Sequence, residues 1–330
     1  MARKLKRDLT MEEQLARGPV DLPFLMLVLM LTGIGVVMVF SASFATAFYV
    51  NDNPTYYFMR QLLFAVAGIA IMYVTSRINY QSYRWMSVFV LGIAFISLLL
   101  VFTPLGWGRA EVGAQRWVYI GPINFQPSEI AKLGVVLYFA SRLSKRNTEK
   151  PRRLNPRSVL SGPLGFLQRI GFLELVPYIL ILGAVAGLML LEPHMSGTIL
   201  ILVGGAAVLF AAGIKLYWFV GGGALAAAGL GFIITATPYM TSRIELWKDP
   251  WSDPLGKGFQ TIQSLYAIGS GGLLGLGLGK SRQKFLYLPE PENDFIFSIV
   301  CEELGLVGAT VVLILFALLI IRGYWIAIHA

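Results

Sequence analysis

The chain has 330 residues, of which 56% are hydrophobic and 14% are charged, and its mean hydropathy is +0.67. A soluble domain carries about 25% charged residues, so the composition excludes an ordinary soluble protein and indicates an integral membrane protein. The single cysteine, Cys301, excludes an internal disulfide framework and a multi-cysteine metal site. The net charge of +9 is compatible with nucleic-acid binding or with cytoplasmic anchoring by Lys and Arg, depending on where the bases fall.

Apolar stretches long enough to cross a bilayer, which takes about 20 residues, recur along the chain. The first begins at Leu22 and is longer than the apolar core of a signal peptide, so we predict a span there rather than a cleaved leader. The predicted fold is an all-α, polytopic transmembrane helical bundle. Its eight predicted spans are 22–49, 58–76, 84–104, 126–143, 174–192, 197–213, 217–237 and 295–322.

Lysines and arginines concentrate in alternate connections between these spans. The N-terminal tail 1–21 and the connection 144–173 are rich in bases, whereas the connection 50–57 has none. Because basic connections stay on the cytoplasmic side, we predict a cytoplasmic tail at 1–21, a basic cytoplasmic loop at 144–173 and a large extracellular loop at 238–294. The positive charge is then explained by topology, and we expect no nucleic-acid partner.

The predicted outer connection 105–125 combines glycines, aromatic residues and Arg116. A guanidinium at the membrane surface either holds an anionic lipid phosphate or belongs to an interfacial anchor. Glu129 and Lys132 follow in the fourth span, three residues apart, so they share a helical face and can pair. Ionisable groups at membrane depth usually mark a functional site, and we favour that role over simple charge neutralisation or snorkelling of the lysine.

The short outer turn between the fifth and sixth spans reads LEPHMSGT. Glu192 and Pro193 favour a turn there, and we interpret them as turn residues. His194 has no clustered partner, so we predict no metal site around it.

The long outer loop contains the stretch 260–279, which is apolar and ends in a run of glycines. It has no clean G-x-G-x-x-G after a strand, so a dinucleotide site is not supported. Two alternatives remain: a re-entrant or interfacial segment, or backbone amides placed near an anionic group. Lys280, Arg282 and Lys284 follow directly, either as a diphosphate-binding patch or as a solvated run of charge.

The loop ends in LPEPENDFIF, which puts Asp294 at the mouth of the last span. A carboxylate in this position either caps the helix or acts as a general base beside a bound substrate. Glu302 lies eight residues further on, about 12 Å deeper and rotated by about 80°, so both acids can line one cavity. These residues predict an outward-facing polar site for an anionic, lipid-linked substrate, and they leave group transfer and transport as alternatives.

Several stretches resemble the SEDS family (shape, elongation, division and sporulation), which includes RodA, FtsW and SpoVE. The resemblance runs in order from the first span to the end of the chain. It is carried by GAQRW, FQPSEIAKL, EELGLVGA and above all the block from DPWSDPLGKGFQ to LPEPENDFIF. The PEP form before the aspartate is most similar to the FtsW and SpoVE branch.

The resemblance implies a peptidoglycan glycosyltransferase that polymerises lipid II at the outer face of the bacterial cytoplasmic membrane, for division or sporulation, with a class B penicillin-binding protein as partner. The family's catalytic aspartate in LPE-x-x-x-DF falls on Asp294, as general base on the acceptor sugar's 4-hydroxyl. The candidate substrate-binding residues are Arg116, Glu129, Lys132, Arg243, Lys280, Lys284 and Glu302, with Arg282 in the same basic cluster. No metal ligands are predicted, and a divalent cation stays open as a cofactor.

The chain departs from the family pattern in two ways. Many relatives read HTDF where this chain has Glu292-Asn293-Asp294-Phe295, so a histidine role is absent. Full-length relatives are expected to have about ten spans, whereas eight are predicted here, so we expect the chain to lack the last helices. Two other functions are alternatives at this point: a lipid II transporter (flippase), and a non-catalytic membrane scaffold for the penicillin-binding protein.

Overall fold

The computed structural model describes residues 20–109, 114–121, 123–148, 172–192, 194–236 and 238–329. The helices are α1 (Leu22–Asn51), α2 (Tyr56–Arg77), α3 (Tyr80–Leu100), α4 (Pro127–Thr148), α5 (Phe172–Leu191), α6 (Met195–Ala211), α7 (Leu216–Ala236), α8 (Pro238–Lys248), α9 (Phe259–Gly271) and α10 (Ile296–His329). The strands are β1 (Gly106–Arg109), β2 (Ala114–Ile120) and β3 (Ile123–Phe125), and a 3-10 turn covers Pro250–Ser252. Most of the predicted basic tail and of the predicted loop 144–173 lies outside the described residues.

Each of the eight predicted spans coincides with a helix, α1 to α7 and α10. In the described part of the chain, five helices are long and apolar enough to cross a membrane: α1, α2, α3 from Gln81, α5 from Glu174, and α10. Helix α6 and the first part of α7 are equally apolar in character but shorter. Many large apolar side chains on these helices are exposed, as on helices that face lipid. The prediction of a mostly helical, multi-pass membrane protein is therefore confirmed.

Local sequence signals explain where several helices begin. The Asp21 carboxylate accepts a hydrogen bond of 2.9 Å from the Phe24 N–H and caps α1. The Asn79 side chain does the same for the Gln81 N–H at the start of α3, also at 2.9 Å. Helix α4 begins at Pro127, where the missing N–H of proline costs nothing.

The predicted outer connection 105–125 contains an antiparallel sheet in the order β1-β2-β3. Trp107 pairs with Trp117 across the first ladder, and the rings of Trp107 and Tyr119 lie 5.2 Å apart. The all-α prediction missed this small sheet, because the glycines and aromatic residues were interpreted as turns and interfacial anchors. The same aromatic residues are cross-strand partners, which stabilise a sheet.

The described residues group into two compact units. The first unit runs to Arg77 and resumes at Leu230, so it holds α1, α2, α8, α9 and α10. Its core includes Met38, Leu288 and Ile299. The second unit, Ile78–Gly229, holds the sheet and α3 to α6. The predicted site residues divide between the two units, and each set is described within its own unit.

Candidate active site

The residues between α9 and α10, 272–295, form a segment that begins with a tight glycine-rich loop packed against α10. Gly275 has a φ of 78°, and a side chain there would collide with the carbonyl oxygen of Glu303. Gly305 interrupts α10 with a φ of 67° and a ψ of −169°, and a side chain there would collide with the backbone of Leu273 and Gly275. Glycine is required at both positions because two backbones touch there. This segment is called the α9–α10 segment below.

Two adjacent acids of α10 hold this segment in place by accepting its hydrogen bonds. Glu302 and Glu303 are 1% and 0% exposed. The N–H of Arg282 donates to Glu302 Oε1 at 2.9 Å, and the Ser281 hydroxyl donates to Glu302 Oε2. The N–H groups of Gly279 and Ser281 donate to the two Glu303 carboxylate oxygens at 2.9 and 3.2 Å. Backbone amides therefore do surround anionic groups, as one alternative proposed, but the anions are carboxylates of this chain.

Lys284 lies within this network and is 3% exposed. Its ammonium group donates to the Gly279 carbonyl at 2.7 Å, to Glu303 Oε1 at 3.0 Å and to Ser41 Oγ at 3.1 Å. The Ser41 hydroxyl, on α1, lies 2.7 Å from each Glu303 carboxylate oxygen. An ammonium group has three N–H donors, and all three are used here. The interpretation of Lys284 as part of an exposed diphosphate patch is therefore corrected: it joins α1 and α10 to the segment.

Glu302 needs a similar correction. It was expected to line a cavity together with Asp294, but its carboxylate faces the backbone of the α9–α10 segment and accepts the N–H of Arg282 at 2.9 Å. Glu302 therefore holds the segment in place and does not line an open cavity.

Two of the three bases that were predicted to form a basic patch after the glycine run are exposed. Lys280 and Arg282 are exposed, and neither side chain has a hydrogen-bond or ion-pair partner among the described residues. They are what remains of the predicted basic patch. Arg243, the other predicted base of this unit, is exposed on α8.

The approach to α10 is conformationally restrained. Leu288 is 1% exposed and anchors the segment in the core, and the Gln260 side chain on α9 donates to the Pro289 carbonyl at 3.1 Å. Leu286 and Glu290 have φ values of 66° and 47°, which non-glycine residues rarely adopt. Such residues persist where the surrounding structure holds them, and they cluster at functional segments.

Asp294 follows this restrained approach and is exposed. Helix α10 begins at Ile296, and the first bond of its N-terminus runs from the Ser298 N–H to the Phe295 carbonyl at 3.0 Å. Asp294 makes no hydrogen bond or ion pair with another described residue. The helix-cap alternative is therefore not realised, and the carboxylate is free to meet a ligand from outside.

Glu292, two residues earlier, is a neighbouring acid that the sequence analysis did not assign to the site. It is half-buried, and its Oε2 atom has no hydrogen-bond partner. Burial raises the pKa of the Glu292 carboxyl, which is opposed by its own backbone N–H and reinforced by the negative charge of Glu290. Glu292 thus precedes the exposed Asp294 by two residues on the approach to α10.

The second unit has its own polar cluster at the start of α4. Lys132 Nζ lies 2.6 Å from Glu129 Oε2, so the predicted pair is present. Glu192 and His194, which were interpreted only as turn residues, are 3% and 8% exposed. His194 Nε2 lies 3.4 Å from the Gln126 side-chain amide.

The buried acid and the imidazole of this cluster are incompletely satisfied. Glu192 Oε1 and His194 Nδ1 have no hydrogen-bond partner among the residues that the structure describes. Burial raises the pKa of Glu192 to about 7, against the opposing charge of the half-buried Arg116 on β2. Burial, and then Arg116, lower the pKa of His194. The structure thus places the predicted Arg116, Glu129 and Lys132 around two residues that sequence reasoning had missed.

The missed residues share one signal. A polar residue inside an apolar helix or turn is costly unless it is partnered or functional, and that rule applied equally to Ser41, Glu303, Glu192 and His194. Ser41 and Glu303 are 262 positions apart, so their pairing required the fold. Within the described residues, no group of three or more His, Cys, Asp or Glu side chains is placed to hold a metal ion.

Comparison of the sequence with known proteins places the chain in a family. Residues 22–330 match the model of the FtsW, RodA and SpoVE family, described as cell cycle proteins. Stage V sporulation protein E of Bacillus subtilis is 39% identical over 94% of this chain and 80% of its own length. The probable peptidoglycan glycosyltransferase FtsW of Thioalkalivibrio sulfidiphilus is 40% identical over 92% of this chain and 71% of its own length.

Solved structures show the same fold. A chain in "Structural coordination of polymerization and crosslinking by a peptidoglycan synthase complex" superposes with a TM-score of 0.66, at 27% identity, over 92% of this chain and 76% of that chain. The rod shape determining protein RodA of Thermus thermophilus gives a TM-score of 0.54 at 25% identity, over 92% of this chain and 73% of RodA. The helical framework around the α9–α10 segment is therefore a recurrent one.

Proposed function

Because the chain belongs to the cell cycle protein family of FtsW, RodA and SpoVE, we propose that it is a peptidoglycan glycosyltransferase that polymerises lipid II into glycan strands. The reaction takes place at the outer face of the bacterial cytoplasmic membrane and serves division or sporulation. The similarity to proteins named probable peptidoglycan glycosyltransferase FtsW supports the activity. The observation in the structure that carries the proposal is the exposed Asp294 carboxylate at the end of a restrained segment.

Asp294 is the general base of the proposed reaction. It removes the proton from the 4-hydroxyl of the acceptor sugar as that oxygen attacks the anomeric carbon of the donor. The glycosidic C–O bond forms while the bond from the anomeric carbon to the diphosphate breaks, and the diphosphate departs on its lipid carrier. An exposed carboxylate without a protein partner suits this step, because no internal hydrogen bond must break before it accepts the proton.

The departing diphosphate gains negative charge, which fixed cations stabilise. Lys280 and Arg282 are the bases of the α9–α10 segment that are exposed to meet it, and Arg243 on α8 is a further candidate in this unit. Within the second unit, Arg116, Lys132 and Glu129, which pairs with the lysine, are candidate substrate-binding residues. Lys284 and Glu302 serve the reaction indirectly, by holding the segment that carries Lys280 and Arg282.

The proposed topology follows the distribution of bases. The tail 1–21 and the loop 144–173 lie in the cytoplasm, and 238–294 lies outside, where lipid II is polymerised. A class B penicillin-binding protein is the proposed partner, since the similar structure is part of a peptidoglycan synthase complex that couples polymerization and crosslinking. Glycan strands made by this chain would be crosslinked by that partner.

The test is polymerisation of purified lipid II by the full chain in liposomes, with and without a class B penicillin-binding protein. Wild-type protein is expected to form polymer, and Asp294→Ala is expected to insert into the membrane normally and form none. Normal polymerisation by Asp294→Ala overturns the assignment of the base. Movement of labelled lipid II across the vesicles without polymer supports the transporter alternative, and partner binding without any turnover supports the scaffold alternative.

A further inference from the structure

A cavity of about 310 Å³ lies between α1 and the α9–α10 segment, within the first unit. Its walls are apolar: Phe40 and Phe44 from α1 face Leu278 and Phe285 from the segment. Phe44, Leu278 and Phe285 are 40%, 55% and 49% exposed, so the cavity is open at the side. It is called the α1 slot below.

The floor of the α1 slot is polar but closed to ligands. Ser41, Gly279 and Lys284 lie there, and they bond to one another and to Glu303. Because the lysine has no N–H left to donate, the floor offers no free donor to a polar ligand. The slot therefore suits an apolar chain that lies along the aromatic walls.

The α1 slot lies beside the C-terminal half of the apolar helix α1. Phe44 is seven residues before the end of α1 at Asn51, which corresponds to about 11 Å along a helix. The apolar core of a bilayer is about 30 Å thick. Because α1 is long and apolar enough to cross a membrane, an apolar chain that lies along this helix meets the open side of the slot.

Two exposed bases follow the slot residue Gly279 in the chain. Lys280 follows the slot residue Gly279 directly, and Arg282 lies between Lys280 and the floor residue Lys284. Both side chains are exposed, while the backbone beneath them is fixed by Glu302 and Glu303. Two bases beside an apolar slot are complementary to a molecule with an anionic head and an apolar tail. The rigid backbone also lowers the entropic cost of ordering the site when such a molecule binds.

We propose that the α1 slot binds the first isoprenoid units of a polyprenyl diphosphate, with the diphosphate held by Lys280 and Arg282. The inference rests on the proposed function, because it assigns a place to the lipid carrier of that substrate. It adds a chain-binding wall, Phe40, Phe44, Leu278 and Phe285, to the polar residues of the site. Branched, unsaturated isoprene units fit a wall of aromatic rings, and their diphosphate meets the two exposed bases.

The test measures the affinity of the full chain in phosphatidylcholine nanodiscs for farnesyl diphosphate, a short prenyl diphosphate. We expect Phe285→Ala to weaken binding about tenfold, which corresponds to about 1.4 kcal/mol. Phe316→Ala is the matched control, because Phe316 on α10 is 50% exposed against 49% for Phe285 and lies outside the slot. The double change Lys280→Gln/Arg282→Gln is expected to weaken farnesyl diphosphate at least tenfold and to leave farnesol binding unchanged.

Three results would overturn the α1 slot. The first is equal effects of Phe285→Ala and Phe316→Ala. The second is binding of inorganic diphosphate as tight as that of farnesyl diphosphate, which would remove the role of the chain. The third is equally strong competition by phosphatidylglycerol, which would make the occupant an ordinary anionic lipid.

Asp294→Asn separates this inference from the proposed function. The variant is expected to bind farnesyl diphosphate as wild type does and to make no polymer. Normal polymerisation by Asp294→Asn, with binding still sensitive to Phe285→Ala, overturns the proposed base and leaves the slot standing. Wild-type binding by Phe285→Ala, with no polymerisation by Asp294→Asn, overturns the slot and leaves the base standing.

Discussion

Two groups of buried acids in this protein are arranged in opposite ways. In the first unit, Glu302 and Glu303 are fully buried, and their oxygens accept hydrogen bonds from backbone amides, two serines and a lysine. In the second unit, Glu192 is equally buried, but its Oε1 atom has no hydrogen-bond partner in the described part of the chain. The difference lies in the number of donors around each carboxylate rather than in its burial.

The two arrangements correspond to two different roles of a buried glutamate. Hydrogen bonds to a carboxylate favour its charged form, whereas burial without them favours the neutral form. The saturated pair fixes the α9–α10 segment through its hydrogen bonds. Glu192, whose pKa burial raises to about 7, can gain or lose a proton near neutral pH. Stability should then respond to mutation in the first unit and to pH in the second.

The largest effect is expected for Glu303→Ala, which leaves the buried Lys284 ammonium without its counter-ion. Removing one partner of a buried ion pair costs about 3–5 kcal/mol of unfolding free energy, and the loss is read from thermal unfolding in detergent. The double variant Glu303→Gln/Lys284→Met is the control, since it removes both charges and should recover part of the loss. An unchanged unfolding temperature in Glu303→Ala would contradict the saturated network.

The next effect is expected for Glu192→Gln, and it depends on pH. The pKa of Glu192 is about 7 in the folded protein and 4.5 in its ordinary state. Between pH 4.5 and pH 7 the Glu192 carboxyl is therefore ionised in the unfolded chain but protonated in the folded protein. Wild-type stability therefore falls as pH rises from 4.5 to 7 and is level above that. We expect the variant to gain at most about 3 kcal/mol over wild type at pH 8, and little at pH 4.5.

The control for that pH dependence is Ser128→Ala, because Ser128 is buried in the same unit and its side chain does not ionise between pH 4.5 and pH 8. Its unfolding temperature relative to wild type is expected to be the same at both pH values. If Glu192→Gln gains equally at pH 4.5 and pH 8, the two groups of acids do not differ in the way described.

A smaller effect is expected for Ser281→Ala. Its hydroxyl donates to Glu302 and accepts from the Lys284 N–H at 3.2 Å, so the change leaves one buried carboxylate short of a donor. The expected loss is about 1–3 kcal/mol. Ser270→Ala serves as the comparison, because Ser270 bonds only to the Ala267 carbonyl of its own helix, and equal losses for the two would argue against a special role for Ser281.

The smallest effect on stability is expected for the exposed bases of the α9–α10 segment. Lys280→Gln/Arg282→Gln should change the unfolding free energy by less than about 0.5 kcal/mol, because neither side chain is buried. Lipid II polymerisation by the same variant should fall by about 100-fold, as expected when charge stabilisation is removed. A destabilised variant, or one with wild-type polymerisation, would show that these bases belong to the structural network instead.

The features that depend on local sequence were predictable. Hydropathy located the predicted spans, and the resemblance assigned the candidate general base to Asp294. The role of Lys284 was not predictable, because its partner Ser41 is 243 positions away. The sequence alone also does not distinguish Lys284 from the neighbouring bases Lys280 and Arg282, because their exposure depends on the fold. The glycine run was similarly ambiguous. Its sequence predicts backbone amides near an anion, but it does not show whether that anion is a ligand or, as in the structure, the carboxylates of Glu302 and Glu303.

The small sheet and the cluster around Glu192 were missed for a different reason. Trp107, Trp117 and Tyr119 have a sufficient explanation as interfacial aromatics, so their cross-strand pairing was not sought. Glu192 followed by proline has an equally sufficient explanation as a turn. In both cases a local rule accounted for the residues, and only burial and distance showed their second role.

The most direct test of the account compares activity and stability in Asp294→Asn. Asp294 lies outside both groups of buried acids, and it is exposed and has no hydrogen-bond or ion-pair partner among the described residues. The variant should therefore unfold at the wild-type temperature, while its rate of lipid II polymerisation falls by about 10²–10⁴-fold, as expected for loss of a general base. A wild-type rate of polymerisation by a normally folded Asp294→Asn protein would contradict the account.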